Sequence, residues 1–208
     1  VQLRPYQQAA VTATIRHFKK SSSPACIVLP TGAGKSLVIA ELARLAQGHV
    51  LVVAHVKELC EQNHQKFIAM GGTAGIYSAG LGEKDSSQKV TFGSVQSVVR
   101  NLKAWRKDIS LLVIDECHRV SGEQGSQYSQ LIDQLRSENP ALKVLGLTAT
   151  PYRLGLGWCY QKHSAGFVRT AEPRPFVECV FELSLREMIR DKYLTEPRVE
   201  DTPIAQYD

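Results

Sequence analysis

Residues 25–36 read ACIVLPTGAGKS, and this stretch decides the fold. Its first five residues form an apolar run with β-branched side chains, which predicts a buried strand over 25–29. The apolar residues of 35–47 recur at helical spacing, so a helix is expected to follow. A glycine-rich turn between a strand and a helix lets backbone N–H groups surround an anion. The predicted phosphate-binding loop consists of Thr31, Gly32, Ala33, Gly34, Lys35 and Ser36.

Two side chains of this loop are suited to nucleotide chemistry. Lys35 can reach the β- and γ-phosphates of a nucleotide, and the hydroxyl of Ser36 can bind Mg²⁺. The common pattern GxxxxGK[ST] begins with glycine, whereas Leu29 stands at that position here. On this motif alone, a glycine turn that merely precedes a helix remains the alternative.

A second motif lies at the end of another apolar run. Residues 111–114 (LLVI) are followed by DECH at 115–118. A buried parallel strand ends at the edge of the sheet where ligands bind. Asp115 would hold Mg²⁺ there, and Glu116 would orient and deprotonate the attacking water. Two carboxylates after a strand could instead cap the next helix.

The rest of the chain alternates strand-like and helix-like segments. Strands are predicted at 50–54 and 144–148, weaker strands at 74–77 and 89–92, and helices at 57–70, 128–138 and 183–192. Residues 152–175 show no clear periodicity. Strands alternating with helices predict an α/β fold, with a mainly parallel central sheet and helices on both faces.

Composition excludes several other classes of protein. With 43% hydrophobic and 22% charged residues, the 208-residue chain is neither disordered nor a collagen or coiled coil. No apolar run is long enough to span a membrane. Five cysteines form no CxxC pair, so we expect reduced thiols in a cytoplasmic protein. Cys159 and His163 alone are too few ligands for zinc. The net charge of +5 tolerates an anionic partner without requiring one.

Six stretches resemble the motifs of superfamily II helicases and translocases. They are LRPYQ at 3–7 (the adenine-reading Q motif), TGAGKS at 31–36 (motif I), AHVKEL at 54–59 (motif Ia), GSVQS at 93–97 (a strand-end motif that touches the nucleic-acid backbone), DECH at 115–118 (motif II) and TATP at 148–151 (motif III). Over most of its length the sequence closely resembles the bacterial RadD (YejH) family of DNA-repair helicases. This resemblance implies a RecA-like P-loop NTPase domain.

The resemblance also implies roles for single residues. Gln7 would hydrogen-bond the adenine edge and Arg4 would lie beside the base, with ATP or ADP and Mg²⁺ as cofactors. Hydrolysis would be coupled to the nucleic-acid face by His118, Thr148 and Thr150. The implied contacts with the nucleic-acid backbone are His55, Lys57, Ser94 and Gln96. Each role has a plain structural alternative. Gln7 would simply begin a helix, and Thr148 and Thr150 would end a strand. His118 would face solvent in a loop, and Lys57 would be a solvated charge at a helix start.

The resemblance divides the chain into two parts. Residues 1–182 would form the first RecA-like lobe, which binds ATP, and 183–208 a helix and a connector toward an absent second lobe. Motors of this kind bind ATP between two lobes, and the second lobe supplies an arginine finger. We therefore expect the chain alone to bind nucleotide with little or no turnover.

The leading functional prediction is the ATP-binding motor lobe of a DNA helicase or translocase acting in DNA repair. The expected partners are single-stranded or branched DNA, the second lobe, and repair or single-stranded-DNA-binding proteins, with no membrane. The expected location is the nucleoid in the bacterial cytoplasm. The alternatives are a restriction-type translocase, an RNA helicase lobe, and a nucleotide-controlled nucleic-acid clamp with weak ATPase activity.

Overall fold

The computed structural model describes residues 2–102, 105, 109–120 and 125–196. The strands are β1 (Ala25–Val28), β2 (His49–Ala54), β3 (Ala74–Ser78), β4 (Glu83–Lys84), β5 (Val90–Ser94), β6 (Ile109–Asp115), β7 (Lys143–Thr148), β8 (Tyr152–Arg153), β9 (Gly157–Trp158), β10 (Tyr160–His163) and β11 (Phe176–Glu182). The α-helices are α1 (Pro5–Lys20), α2 (Lys35–Leu45), α3 (Lys57–Ala69), α4 (Val95–Val99), α5 (Gln127–Glu138) and α6 (Leu185–Arg190).

The main sheet runs in the order β10-β11-β1-β7-β6-β2-β5-β3-β4, and β8 pairs with β9 in a separate hairpin. Within the main sheet, neighbouring strands are parallel except for β3 and β4. The predicted mainly parallel sheet is therefore confirmed. Its consequence is that the carboxyl ends of β1, β7, β6, β2 and β5 lie at one edge, where the loops that follow them can meet.

Helices cover both faces of the sheet, as the sequence predicts. One core contains buried residues of α1, α2 and α3, such as Val11, Val38 and Phe67. The other core contains buried residues of α4 and α5, such as Val98 and Leu131. Apolar side chains on both faces explain why the central strands read as continuous hydrophobic runs. None of the helices that the structure describes is long and apolar enough to cross a membrane.

Strand β11 lies beside β1 inside the sheet, although sequence analysis does not predict it. Its residues FVECVFE include two glutamates and lack a regular alternation. The register explains the irregularity, because Cys26 lies opposite Cys179 whereas Ile27 lies opposite Phe181. The additional residue is a bulge in β11, and a bulge reverses the alternation of side chains beyond it.

Candidate nucleotide-binding and hydrolysis site

The phosphate-binding loop connects β1 to α2. Gly32 and Gly34 have left-handed backbone angles, with φ of +82° and +75°, which glycine adopts without steric cost. At Gly34 an added Cβ would lie 2.6 Å from Nε2 of Gln7, so a side chain at this position would displace the Gln7 amide. Helix α2 begins at Lys35, and no side chain caps its first turn. This uncapped helix start is suited to binding an anion.

The start of α1 is hydrogen-bonded to this loop. Tyr6 donates its hydroxyl hydrogen to the carbonyl oxygen of Ala33 at 3.0 Å, and Nε2 of Gln7 donates to the same oxygen at 2.8 Å. Oε1 of Gln7 accepts the N–H of Arg4 at 2.9 Å, and Gln7 is only 2% exposed. Gln7 therefore holds the loop in place, a contact that sequence analysis did not foresee. Tyr6 was also missed, although it belongs to the LRPYQ stretch.

Asp115 ends β6 as a buried carboxylate, 3% exposed. Its Oδ1 accepts the N–H of Glu116 at 2.9 Å, and its Oδ2 accepts a hydrogen bond from Nδ2 of Asn63 at 2.8 Å. Burial raises the pKa of Asp115, and the hydrogen bond from Asn63 opposes that shift. Asn63, on α3, was missed because only the packing of α3 against the sheet brings it to the motif.

Glu116 turns its carboxylate toward the phosphate-binding loop. Its Oε1 lies 3.5 Å from Nζ of Lys35, and its Oε2 lies 3.3 Å from Nδ1 of His118. The φ of Glu116 is +51°, a strained angle for a residue with a side chain. This turn directly after β6 orients Asp115 and Glu116 differently, so that Asp115 is held by Asn63 while Glu116 faces the loop.

The three residues predicted to couple hydrolysis to nucleic acid form one hydrogen-bonded group. Oγ1 of Thr148 lies 2.9 Å from Nδ1 of His118 and accepts the N–H of Thr150 at 3.0 Å. Burial lowers the pKa of His118, and the neighbouring Glu116 carboxylate opposes that shift. Arg153 extends the group, because its guanidinium donates to the carbonyl oxygen of His118 at 3.2 Å. The group thus connects the end of β7 to Glu116.

The donor atoms at this edge fit a magnesium ion. Ser36 offers a hydroxyl in the first turn of α2, and Asp115 offers a carboxylate at the end of β6. These are oxygen ligands, which Mg²⁺ prefers. Each carboxylate oxygen of Asp115 also has lone-pair capacity beyond its one hydrogen bond. Ser36 and Asp115 thus have the chemistry of magnesium ligands.

The four predicted nucleic-acid contacts lie at the ends of β2 and β5, where Ala54 is opposite Ser94. Nε2 of Gln96 donates to the carbonyl oxygen of His55 at 2.9 Å, so these two residues are held together. Lys57 is exposed at the start of α3. Ser94 differs from the others, because it is buried and donates its hydroxyl hydrogen to Oγ of Ser97 at 2.8 Å.

A separate polar cluster lies on β10 and β11, where the bulge brings Cys179 and Glu182 near His163. Nε2 of His163 lies 3.2 Å from Oε2 of Glu182, and Nδ1 accepts the N–H of Ala165 at 3.1 Å. Because Nδ1 accepts a hydrogen bond, the proton of the neutral ring is on Nε2, the nitrogen that a metal would need. Sequence analysis paired His163 with Cys159, whereas the structure surrounds it with Cys179 and Glu182.

All five cysteines are buried, unpaired thiols. They are Cys26, Cys60, Cys117, Cys159 and Cys179. Cys117 belongs to the DECH motif and packs in the core beneath the hydrolysis site. The thiols therefore fill space in the interior and form no disulfide.

Residues 1–153 match the family model described as "Type III restriction enzyme, res subunit" (ResIII). The chain belongs to the ResIII family. The ResIII match contains the phosphate-binding loop, the DECH motif and the TATP motif. Strands β10 and β11 and helix α6 lie beyond it.

Curated relatives include helicases from fungi. The ATP-dependent DNA helicase mph1 of Aspergillus fumigatus is 31% identical over 142 residues, which cover 60% of this chain and 13% of the relative. The protein irc3 of Schizosaccharomyces pombe, by its name a mitochondrial ATP-dependent helicase, is 28% identical over 220 residues, covering 96% of this chain and 32% of the relative. The ResIII chain thus spans about a third or less of these relatives.

Two solved helicase structures have the same fold. The UvsW helicase of bacteriophage T4 is 26% identical with a TM-score of 0.58, covering 73% of this chain and 54% of that one. The Hef helicase domain of Pyrococcus furiosus is 27% identical with a TM-score of 0.56, covering 73% of this chain and 35% of that one. The chain therefore has the RecA-like fold of the ATP-binding lobe found in superfamily II helicases.

Proposed function

We propose that this lobe belongs to a DNA helicase or translocase that acts in DNA repair and couples Mg-ATP hydrolysis to movement on DNA or remodelling of DNA. The observation that carries the proposal is the approach of Lys35 to Glu116, at 3.5 Å, beside the phosphate-binding loop. Relatives named ATP-dependent DNA helicases support the reaction and the substrate. The close sequence resemblance to the RadD family supports the role in repair.

The residues around the loop divide the work of hydrolysis. The start of α2 and the ammonium group of Lys35 bind the β- and γ-phosphates of ATP or ADP. Glu116 orients the attacking water and accepts its proton. Ser36 and Asp115 would hold Mg²⁺, which neutralises phosphate charge when bound.

Coupling follows from the hydrogen bonds of His118. Its Nδ1 lies within reach of both Oε2 of Glu116 and Oγ1 of Thr148. A movement of Glu116 during hydrolysis therefore changes the position of His118, of the TATP segment and, through Arg153, of the β8–β9 hairpin. Such a network gives the nucleic-acid face a physical connection to the nucleotide.

DNA binds across the ends of β2 and β5 in this proposal. His55, Lys57 and Gln96 provide hydrogen-bond donors and one cation for the phosphate backbone, which does not require base recognition. Ser94 acts indirectly, since its hydroxyl is engaged with Ser97. Single-stranded or branched DNA is the proposed substrate.

The remaining assignments complete this picture. Residues 1–182 are the first motor lobe, and 183–208 are a helix and a connector to a second lobe of the full-length protein, of which 197–208 lie outside the residues that the structure describes. That second lobe supplies the arginine finger, and repair or single-stranded-DNA-binding proteins are further partners. The proposed location is the bacterial nucleoid in the cytoplasm. The 208-residue chain alone binds nucleotide and turns it over slowly or not at all.

The test is a steady-state ATPase assay on the full-length protein. Reactions contain no nucleic acid, single-stranded DNA, duplex DNA, forked DNA or single-stranded RNA, with GTP as the nucleotide control and two salt concentrations. We expect stimulation by DNA and a preference for ATP. Lys35→Ala should abolish nucleotide binding, whereas Lys66→Ala, an exposed lysine of α3, should not. Stimulation by RNA alone would contradict the DNA assignment, and no stimulation would favour the clamp.

A restriction-type translocase is the second candidate, because the matched family model describes a restriction enzyme subunit. A triplex-displacement assay and a strand-separation assay on the full-length protein distinguish the two. Displacement of a triplex strand without separation of a duplex indicates translocation only, whereas duplex separation indicates a helicase.

A further inference from the structure

Three thiols lie in a row beneath the hydrolysis site. Cys26, on β1, lies opposite Cys179 on β11 and opposite Gly146 on β7. A Cβ added at Gly146 would lie only 2.6 Å from Sγ of Cys117, so this sulfur fills the space above the glycine. All three cysteines belong to the core that contains α4 and α5. Their side chains therefore cross β11, β1 and β7 on the same face of the sheet.

Cys159 is a fourth thiol in this core. Its N–H donates to the carbonyl oxygen of Pro151 at 2.8 Å, and its carbonyl oxygen accepts the N–H of Phe176 at 3.2 Å. Hydrogen bonds from the thiols of Cys117 and Cys26 lower the pKa of Cys159, and burial opposes that shift. The sulfur of Cys159 is thus within hydrogen-bonding reach of two further thiols. Together with Cys179 these residues are called the thiol cluster.

A small cavity connects the thiol cluster to the exterior. It has a volume of about 50 Å³ and is lined by Cys159, Arg153 and Arg174, among others. Cys159 is 7% exposed, whereas Cys26 and Cys117 are fully buried. The cavity has room for a molecule about the size of water, which occupies about 30 Å³ in the liquid. Hydrogen peroxide, with one oxygen more, is therefore small enough to reach Cys159.

The cavity also has polar groups that suit such a molecule. Nε of Arg174 is buried and has no hydrogen-bond partner in the part of the chain that the structure describes. A guanidinium carries five N–H donors, and Arg153 uses one of them on the carbonyl oxygen of His118. Donors of this kind stabilise the negative charge that develops on an oxygen when the O–O bond of a peroxide breaks.

We propose that Cys159 is a site of modification by hydrogen peroxide and that Cys117 then forms a disulfide with it. Sγ of Cys159 attacks one oxygen, the O–O bond breaks, and a sulfenic acid and hydroxide form. The hydroxide takes up the proton released by the Cys159 thiol. Sγ of Cys117 attacks the sulfenic sulfur, the S–O bond breaks, and the Cys117 proton leaves with the oxygen as water. Two thiols are oxidised to one disulfide, and the peroxide is reduced to two water molecules.

Backbone context selects Cys117 rather than Cys26 as the second thiol. A disulfide requires its two sulfurs to approach to about 2.0 Å, much closer than hydrogen-bonded thiols. Cys26 lies in β1, which is paired on both sides with β7 and β11. Cys117 begins a single 3₁₀ turn over Cys117–Arg119, directly after β6 ends. A short turn can shift toward Cys159, whereas a central strand would have to break its pairing.

Formation of this disulfide would act on the hydrolysis site. Cys117 stands between Glu116, which lies 3.5 Å from Lys35, and His118, which lies 2.9 Å from Thr148. When the sulfur of Cys117 leaves its place above Gly146, both neighbours move with it. A displacement of about 1 Å can slow a reaction by about 10²-fold. This consequence rests on the proposed ATPase function, whereas the disulfide itself does not.

The test treats the full-length protein with hydrogen peroxide, blocks free thiols with iodoacetamide and digests the protein with trypsin without reductant. Mass spectrometry should then detect residues 108–119 joined to residues 154–162, the tryptic peptides that contain Cys117 and Cys159. Dithiothreitol should separate them. ATPase activity, measured on the same samples, should fall by roughly 10–100-fold and recover with dithiothreitol.

Two variants show whether this thiol is responsible. Cys159→Ala should form no such linked peptides and should keep its ATPase activity after peroxide treatment. Cys60→Ala is the matched control, because Cys60 is a buried cysteine in the other core. It should form the disulfide and lose activity as the unaltered protein does. Circular dichroism of each variant confirms that the fold is retained.

Each other outcome has a distinct meaning. Absence of linked peptides in the peroxide-treated, unaltered protein would overturn the proposal, and a link from Cys159 to Cys26 would overturn the role of Cys117. An equal loss of ATPase activity in Cys159→Ala would show that oxidation acts elsewhere. If the unaltered protein hydrolyses no ATP before oxidation, the proposed function fails, and the peptide masses still decide whether the disulfide forms.

Discussion

Two neighbouring parts of the carboxyl edge of the sheet, called here the hydrolysis edge and the proposed DNA edge, are built differently. The hydrolysis edge consists of Lys35, Asp115, Glu116, His118 and Thr148, and its polar atoms are bonded to partners far away in sequence. The proposed DNA edge consists of His55, Lys57, Ser94 and Gln96. Here Gln96 is also bonded to the distant His55 and Ser94 is buried, but the cation Lys57 is exposed beside Gly80. Hydrolysis needs reacting groups held in advance, whereas contact with a DNA backbone needs mainly exposed donors and charge.

The sharpest test of the hydrolysis edge is Glu116→Gln in the full-length protein. Loss of the general base should lower kcat for ATP hydrolysis by about 10²–10⁴-fold. Nucleotide affinity should persist, because the amide has the same shape and Lys35 is unaltered. The matched control is Glu83→Gln on β4, where the glutamate is exposed. Normal turnover by the Glu116 variant would remove this residue from the role of base.

Asn63→Leu tests whether the buried hydrogen bond to Asp115 matters for chemistry. The donor from Asn63 opposes the raised pKa of Asp115, so its loss should raise that pKa further. Activity requires the ionised carboxylate of Asp115, so activity is lost as the pH falls through the pKa of Asp115 in the folded protein. The acidic limb of the pH–rate profile should therefore shift to higher pH, with about 1–3 kcal/mol of stability lost.

Asn139→Leu is the control for this variant. Asn139 donates to the carbonyl oxygen of Ile109, at the opposite end of β6. The Asn139→Leu variant should be less stable, but its ATPase rate should depend on pH in the same way as that of the unaltered protein. An Asn63→Leu protein with an unshifted profile would show that Asn63 has a structural role only.

Thr148→Val tests the connection between the two edges. The valine keeps the shape of the buried threonine but removes the hydroxyl that contacts His118 and accepts the N–H of Thr150. Stimulation of the ATPase by DNA should fall by roughly fivefold, about 1 kcal/mol of coupling. Thr91→Val, at a buried threonine of β5, is the control. Equal stimulation in both variants would argue against the coupling group.

The smallest effect is expected at the DNA edge. Lys57→Ala should weaken DNA binding by a few-fold at low salt and reduce the slope of log affinity against log salt by about 1, the amount for one phosphate contact. Lys66→Ala, farther along the same helix, should change neither quantity. If Lys57→Ala abolished binding at every salt concentration, the DNA edge would be preorganised like the hydrolysis edge, and the contrast would fail.

The fold was largely predictable because its central strands are buried on both faces. Runs such as 50–54 and 144–148 are apolar throughout, and the structure places strands at both. Strand β11 escaped prediction because a bulge interrupts its alternation and its pairing partner, β1, is distant in sequence. A local sequence pattern can identify a strand such as β2 or β7. A strand such as β11, which depends on pairing with a distant part of the chain, need not have such a pattern.

The site shows the same division. The sequence by itself determined which residue types stand after which strands: the glycines and Lys35 after β1, and the two carboxylates after β6. Spacing of this kind is a local property of the chain. Only the tertiary structure decided that Lys35 faces Glu116 and that Asn63 holds Asp115. These contacts join residues on different elements, so they exist only after the helices have packed on the sheet.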